Sequence, residues 1–183
     1  VRSSAASDVY KRQVHITGGG GQQGYASLVP EVTMSELVAC GTTTVLGMLG
    51  TDGFAKELTT LYAKAKAIDD DGLSAYMLTS YYGLPTKTLM NSVADDLIFI
   101  DKVIGCKLAM SDDRSPFPTE QEILRIIHQV RLGGFTSGKG GILHIHLGAL
   151  PEGIEPLLNI ARHYPTLISY LSPTHLILSL IHI

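Results

Sequence analysis

The feature that most constrains this chain is a regular alternation between two hydrophobic periods. Short β-branched and apolar runs at 14–17, 42–49, 74–82, 106–111, 142–147 and 167–172 read as strands. Between them lie segments of helical spacing. A first helix opens at Pro30-Glu31 and ends at Gly41. The next covers 54–71 through Leu58, Leu61, Ala65 and Ile68, and Gly72 ends it. Others cover 93–104, 119–132 and 151–163, the fourth with Thr119 and Glu122 offering a capping box. Strands alternating with helices across short links predict βαβ units around a parallel sheet. No dinucleotide fingerprint follows the first strand, so an α/β fold built as an incomplete (β/α)8 TIM-type barrel of about six βα units fits better than a doubly wound sheet.

Composition narrows the function classes. The 183 residues are 45% hydrophobic and only 17% charged, with a formal net charge of −3. That balance gives no basic footprint for nucleic acid and no polybasic run for a membrane surface. No apolar run is long enough to span a bilayer, and the opening residues lack the apolar core of a secretory signal. Cys40 and Cys106 both lie in apolar segments, which predicts two buried thiols. A cytoplasmic location is expected.

Within this frame one lysine stands out. Lys107 sits inside the strand Cys106-Lys107-Leu108-Ala109-Met110, where an ammonium is costly unless it is neutralised or employed. A lone lysine of this kind is ordinarily salt-bridged or snorkelling. Here it has company: His15, His146 and His175 also fall at or near the C-terminal ends of strands, where a parallel barrel gathers its functional groups. Imidazoles suit zinc. A lysine joins such a site only after losing its charge, for example by carboxylation. His144 shares a strand face with His146 and reads as a polar group of the barrel interior. Asp112 and Asp113 read as a solvated loop pair, with partners that support neighbouring site residues as the alternative. Tyr81 and Tyr82 alternate, so one of them should face inward.

The ordered set of motifs resembles one family. His15-Ile16-Thr17 with the run Gly18–Gly21, Leu49-Gly50-Thr51-Asp52, Met77-Leu78-Thr79 with Tyr82, Gly105-Cys106-Lys107 to Arg114, His146-Leu147-Gly148 and Pro173-Thr174-His175 are similar to the isoaspartyl (β-aspartyl) dipeptidases of the amidohydrolase superfamily. The likeness runs from Val14 to His175. It implies metal-dependent hydrolysis of β-aspartyl dipeptides by a binuclear zinc centre. His15, Lys107, His146 and His175 would be the metal ligands, and Lys107 would be carboxylated and bridge the two ions. Tyr82 would be the catalytic oxyanion donor. Gly20, Gln22, Thr51, Tyr82 and Arg114 would contact the small dipeptide substrate, with Arg114 on its carboxylate. A homo-oligomer is implied, and neither nucleic acid nor membrane is a partner.

Departures from the family pattern qualify this. Gln13 stands where the first histidine of a His-x-His pair belongs, and Gln22 stands where the family has a glutamate. A second family arginine falls on Leu178, and the family's metal-binding aspartate has no counterpart. The expectation is a truncated barrel domain at 14–175, with 1–13 and 176–183 as non-native termini, inactive as given. Two alternatives stay open: a dihydroorotase- or hydantoinase-like ring-opening amidohydrolase, and a non-catalytic, metal-free barrel fragment.

Overall fold

The computed structural model describes residues 13–176. Of the termini expected to be non-native, 1–13 and 176–183, all but Gln13 and Leu176 lie outside the described residues, Leu178 among them. Six parallel strands form one sheet in sequential order: β1 (Gln13–Val14), β2 (Thr44–Gly47), β3 (Ser74–Ser80), β4 (Val103–Met110), β5 (Ile142–Leu147) and β6 (Leu171–Thr174). Five helices alternate with them: α1 (Met34–Ala39), α2 (Leu58–Asp70), α3 (Val93–Phe99), α4 (Glu120–Ser137) and α5 (Glu155–His163). Sequential order in an all-parallel sheet is the order of a TIM-type barrel, and the sheet is a curled part of one. Because β1 contributes only two residues, five strands make the body of the sheet, and a sixth βα unit is not completed among the described residues.

Strand alternation sorts the side chains onto two faces. On β4, Cys106, Leu108 and Met110 join the core; on β5, Leu143, Ile145 and Leu147 do so. These pack against Leu61, Ala65 and Ile68 of α2, Leu97 of α3, and Ile123, Ile127 and Val130 of α4. Lys107, Ala109, His144 and His146 therefore point to the opposite, inner face.

Several boundaries differ from expectation. Helix α1 begins at Met34 rather than at Pro30, because Thr33 and Glu36 form a reciprocal capping box. Val103–Gly105 belong to β4, not to the preceding helix: Ile100 and Ile104 continue the helical phase in sequence, but α3 ends at Phe99. Helix α4 runs past Gly133-Gly134 to Ser137. A Cβ at Gly133 would lie 2.7 Å from Leu97 Cβ, so glycine here admits α3 rather than stopping α4. Residues 165–170 form a 3-10 turn, and β6 starts four residues later than expected. Cys106 is buried as expected, whereas Cys40, the C-terminal cap of α1, is exposed. No helix among the described residues is long and apolar enough to cross a membrane.

Candidate active site

Register fixes the inner-face row. Lys107 on β4 is level with Ser80 on β3 and His144 on β5; one step further, His146 is level with Ala109 and Thr174. His175 follows β6 directly, in a left-handed conformation with φ 61°. Its ring meets that of His146 edge-on, with centroids 4.7 Å apart, and the Tyr82 ring lies 4.8 Å from His146 on centroids. His15 follows β1, with Nδ1 3.9 Å from the buried Asp52 carboxylate. Sequential strands thus bring the four nitrogen side chains to one end of one face.

The electrostatics show what burial does to these groups. Lys107 is 4% exposed, and no carboxylate pairs with it among the described residues. Desolvation lowers its pKa to about 7, so the uncharged amine is populated at neutral pH. His144 falls to about 3 and His146 to about 4, in each case first through burial and then through the Lys107 charge; a hydrogen bond to Asp112 partly offsets the fall at His146. His15 and His175 are lowered in the same direction, but both are exposed, so burial weighs less on them than on His144 and His146. The imidazoles are neutral at pH 7, the state in which a ring nitrogen can ligate.

Asp112 is the junction that the sequence reading missed. It is 5% exposed, while the Asp113 side chain beside it is 84% exposed, so the expected solvated pair is half wrong. Its Oδ1 accepts from the Arg114 backbone N–H at 2.9 Å and from Arg114 Nε at 2.7 Å. Its Oδ2 accepts from Arg114 Nη2 at 2.6 Å and from the Tyr82 hydroxyl at 3.2 Å, and lies 3.0 Å from His146 Nε2. The Arg114 guanidinium, with His146 adding to it, holds the Asp112 carboxyl far below the usual carboxylate range. Burial, reinforced by Asp112, pushes the Tyr82 phenol well above its ordinary value, so Tyr82 stays a donor.

The substrate-side candidates separate into two groups. Gln22, Thr51, Tyr82 and Arg114 line one cavity of about 360 Å³, together with Tyr81 and Ser115. Gly20 is not part of that lining. It sits behind it at φ +86°, where a Cβ would meet Ser27 O at 2.2 Å, and its carbonyl accepts from Thr51 Oγ1 at 3.1 Å. Tyr81 and Tyr82 both reach the cavity, because β3 ends at Ser80 and strand alternation no longer governs them.

The donor set fits zinc in its chemistry: neutral imidazoles around a lysine whose charge burial suppresses. Asp52 lies beside His15 as a fully buried carboxylate, its Oδ1 accepting the Gly50 N–H at 2.8 Å and its Oδ2 paired at 3.8 Å with the Lys56 ammonium. As the side chains stand, no three His, Cys, Asp or Glu among the described residues converge into a metal-holding group.

No family model matches the chain. Among solved structures it is similar to the beta-aspartyl dipeptidase of the thermophilic, keratin-degrading Fervidobacterium islandicum AW-1, with a TM-score of 0.87 and 45% identity over 90% of this chain and 45% of that one. A second structure from the same organism, a complex of beta-aspartyl dipeptidase with the β-Asp-Leu dipeptide, gives a TM-score of 0.87 and 46% identity over 89% of this chain and 43% of that one. Over nearly its whole length the chain is therefore a structural homologue of the beta-aspartyl dipeptidases, which are hydrolases, and it spans less than half of theirs.

Proposed function

We propose that this chain carries part of the site of a zinc enzyme that hydrolyses β-aspartyl dipeptides, placed at the C-terminal end of the inner sheet face. The observation that carries this reading is Lys107: buried, without a carboxylate partner among the described residues, and set among His15, His144, His146 and His175. Its free amine could add to carbon dioxide to give a carbamate and a proton, which would place an anion where an ammonium is costly. His15 and the Lys107 carbamate would hold one zinc, and the carbamate with His146 and His175 the other. Bound zinc would supply Lewis acidity toward water and the scissile carbonyl.

The other residues have roles that need no metal. The Tyr82 hydroxyl, kept protonated by its surroundings, would turn its one proton from Asp112 to the oxygen that gains charge as the carbonyl is attacked. Arg114 is 42% exposed at the cavity wall and can offer N–H groups to a substrate carboxylate while still held by Asp112. Thr51, tied to Gly20, shapes the end that receives the aspartyl group, and Gln22 presents an amide oxygen to the substrate ammonium. In sequence, Gln13 stands where the resemblance would have a further histidine ligand of the first zinc. On this reading the 183-residue chain alone does not turn over substrate.

The test is to express the full-length gene product that contains this chain with zinc and assay β-Asp-Leu against α-Asp-Leu. Cleavage of the β-linked dipeptide alone is expected, slowed about 100-fold or more by Tyr82→Phe. Failure to cleave β-Asp-Leu would contradict the assignment, and turnover by the 183-residue chain would contradict its inactivity. One observation favours the metal-free alternative: the ligand candidates do not converge among the described residues. Zinc content of the purified protein separates the two.

A further inference from the structure

Asp112 touches three side chains to which the proposed reaction gives different work, and the resemblance assigns it no role, although it lies within the Lys107-to-Arg114 motif. The bonds reach across the site: Tyr82 is 30 residues away in sequence, His146 is 34, and Arg114 only two. An ionised carboxylate can only accept. Against Asp112 Oδ2 at 3.0 Å, His146 Nε2 must therefore carry the ring proton, and Nδ1 is left with the lone pair. The other oxygen is pinned by the Arg114 backbone N–H and Nε, so the carboxylate cannot rotate without breaking two bonds. The Arg114 guanidinium in turn lies over the Tyr82 ring, 5.7 Å from its centroid.

We propose that Asp112 is the positioning residue of this site, seating the Tyr82 phenol and the Arg114 fork on one side and fixing the proton of His146 on Nε2 on the other. It links the dipeptide cavity to the nitrogen cluster through one rigid group. The role deepens the hydrolase reading and rests on it for its purpose, but the seating itself needs no metal. A carboxylate that orients a ligating histidine through its second nitrogen is a recurrent arrangement around metals, and losing one costs about 10–100-fold in metal affinity.

The experiment is NMR on the 15N-labelled 183-residue chain, free of metal, followed by zinc titration against a competing chelator. In the parent chain a slowly exchanging imidazole proton on His146 Nε2 and a protected Arg114 Nε–H are expected, with His146→Gln assigning the first. Asp112→Ala should abolish both protections and weaken zinc binding about 10–100-fold. Asp112→Asn keeps the shape and serves if the alanine variant does not fold. An amide offers one acceptor where two oxygens accept now, so at least one of the two signals must be lost. Both signals unchanged in either folded variant would overturn the proposal. If the parent chain shows both signals but takes up no zinc, the seating role stands and the metal reading falls.

Discussion

The two faces of this one sheet are built on opposite principles. The helix-facing side is apolar and closed: Leu108, Leu143, Ile145 and Leu147 are all fully buried against α2, α3 and α4. The inner side, one residue out of phase on the same strands, buries Lys107 and His144 instead. The first arrangement makes the fold stable by removing carbon from water. The second costs stability, because burial opposes every charge it could carry, and that cost is the mark of a functional surface. The same eight-residue strand, β4, serves both.

Substitutions on β4 test this contrast most sharply. Leu108→Ala should have the largest effect on stability, a loss of about 3 kcal/mol from lost transfer energy and the cavity left behind, with zinc affinity unchanged in the protein that remains folded. Chemical denaturation reads the first and chelator competition the second. If Leu108→Ala cost less than about 1 kcal/mol, the outer face would not be the core described here.

Lys107→Met should do the reverse. The folded-state pKa of Lys107 is lowered from 10.5 to about 7. Between those values the unfolded chain holds a proton that the folded chain has released, so stability rises with pH across that window. Below about pH 7 the burden is present in full; above about 10.5 it is gone. Methionine removes it, so the metal-free variant should be more stable than the parent by on the order of 3 kcal/mol at pH 6, with the gain fading as pH approaches 10. His144 and His146, lowered to about 3 and 4, add a second limb of the same sign, with stability rising from about pH 3 to 6.5. Thermal melts of the metal-free chain from pH 4 to 10 check both limbs. In Lys107→Met only the alkaline limb should vanish.

The smallest expected change in stability belongs to the cavity wall. Tyr82→Phe removes one hydroxyl and its bond to Asp112, a loss of about 1 kcal/mol. A loss larger than that of Leu108→Ala would mean that the wall belongs to the core rather than to the site.

Local signals made some of this architecture legible in the chain. Strand β5 matches its expected limits because an apolar alternation lies between glycines at 140–141 and at 148. The start of α4 was readable because a capping box is a four-residue pattern, here Thr119 to Glu122. Its end was not, since a Gly-Gly pair reads as a stop and only the approach of Leu97 reveals its use. The same divide holds at the site. A lysine in an apolar strand announces itself through what its burial costs, and the histidines through their places at strand ends. Asp112 does not, because Asp-x-Arg after a strand is an ordinary turn sequence, and its burial depends on Tyr82 and His146, which arrive from other strands. Asp52 was hidden in the same way, as a turn residue before a glycine.

The central claim is that the inner face is a metal site. It is tested most directly by the zinc bound to the purified 183-residue chain, compared with His146→Ala and Lys107→Met. The account predicts at least one bound zinc in the parent chain and a marked loss in both folded variants. No zinc in the parent, or equal zinc in all three, would contradict it.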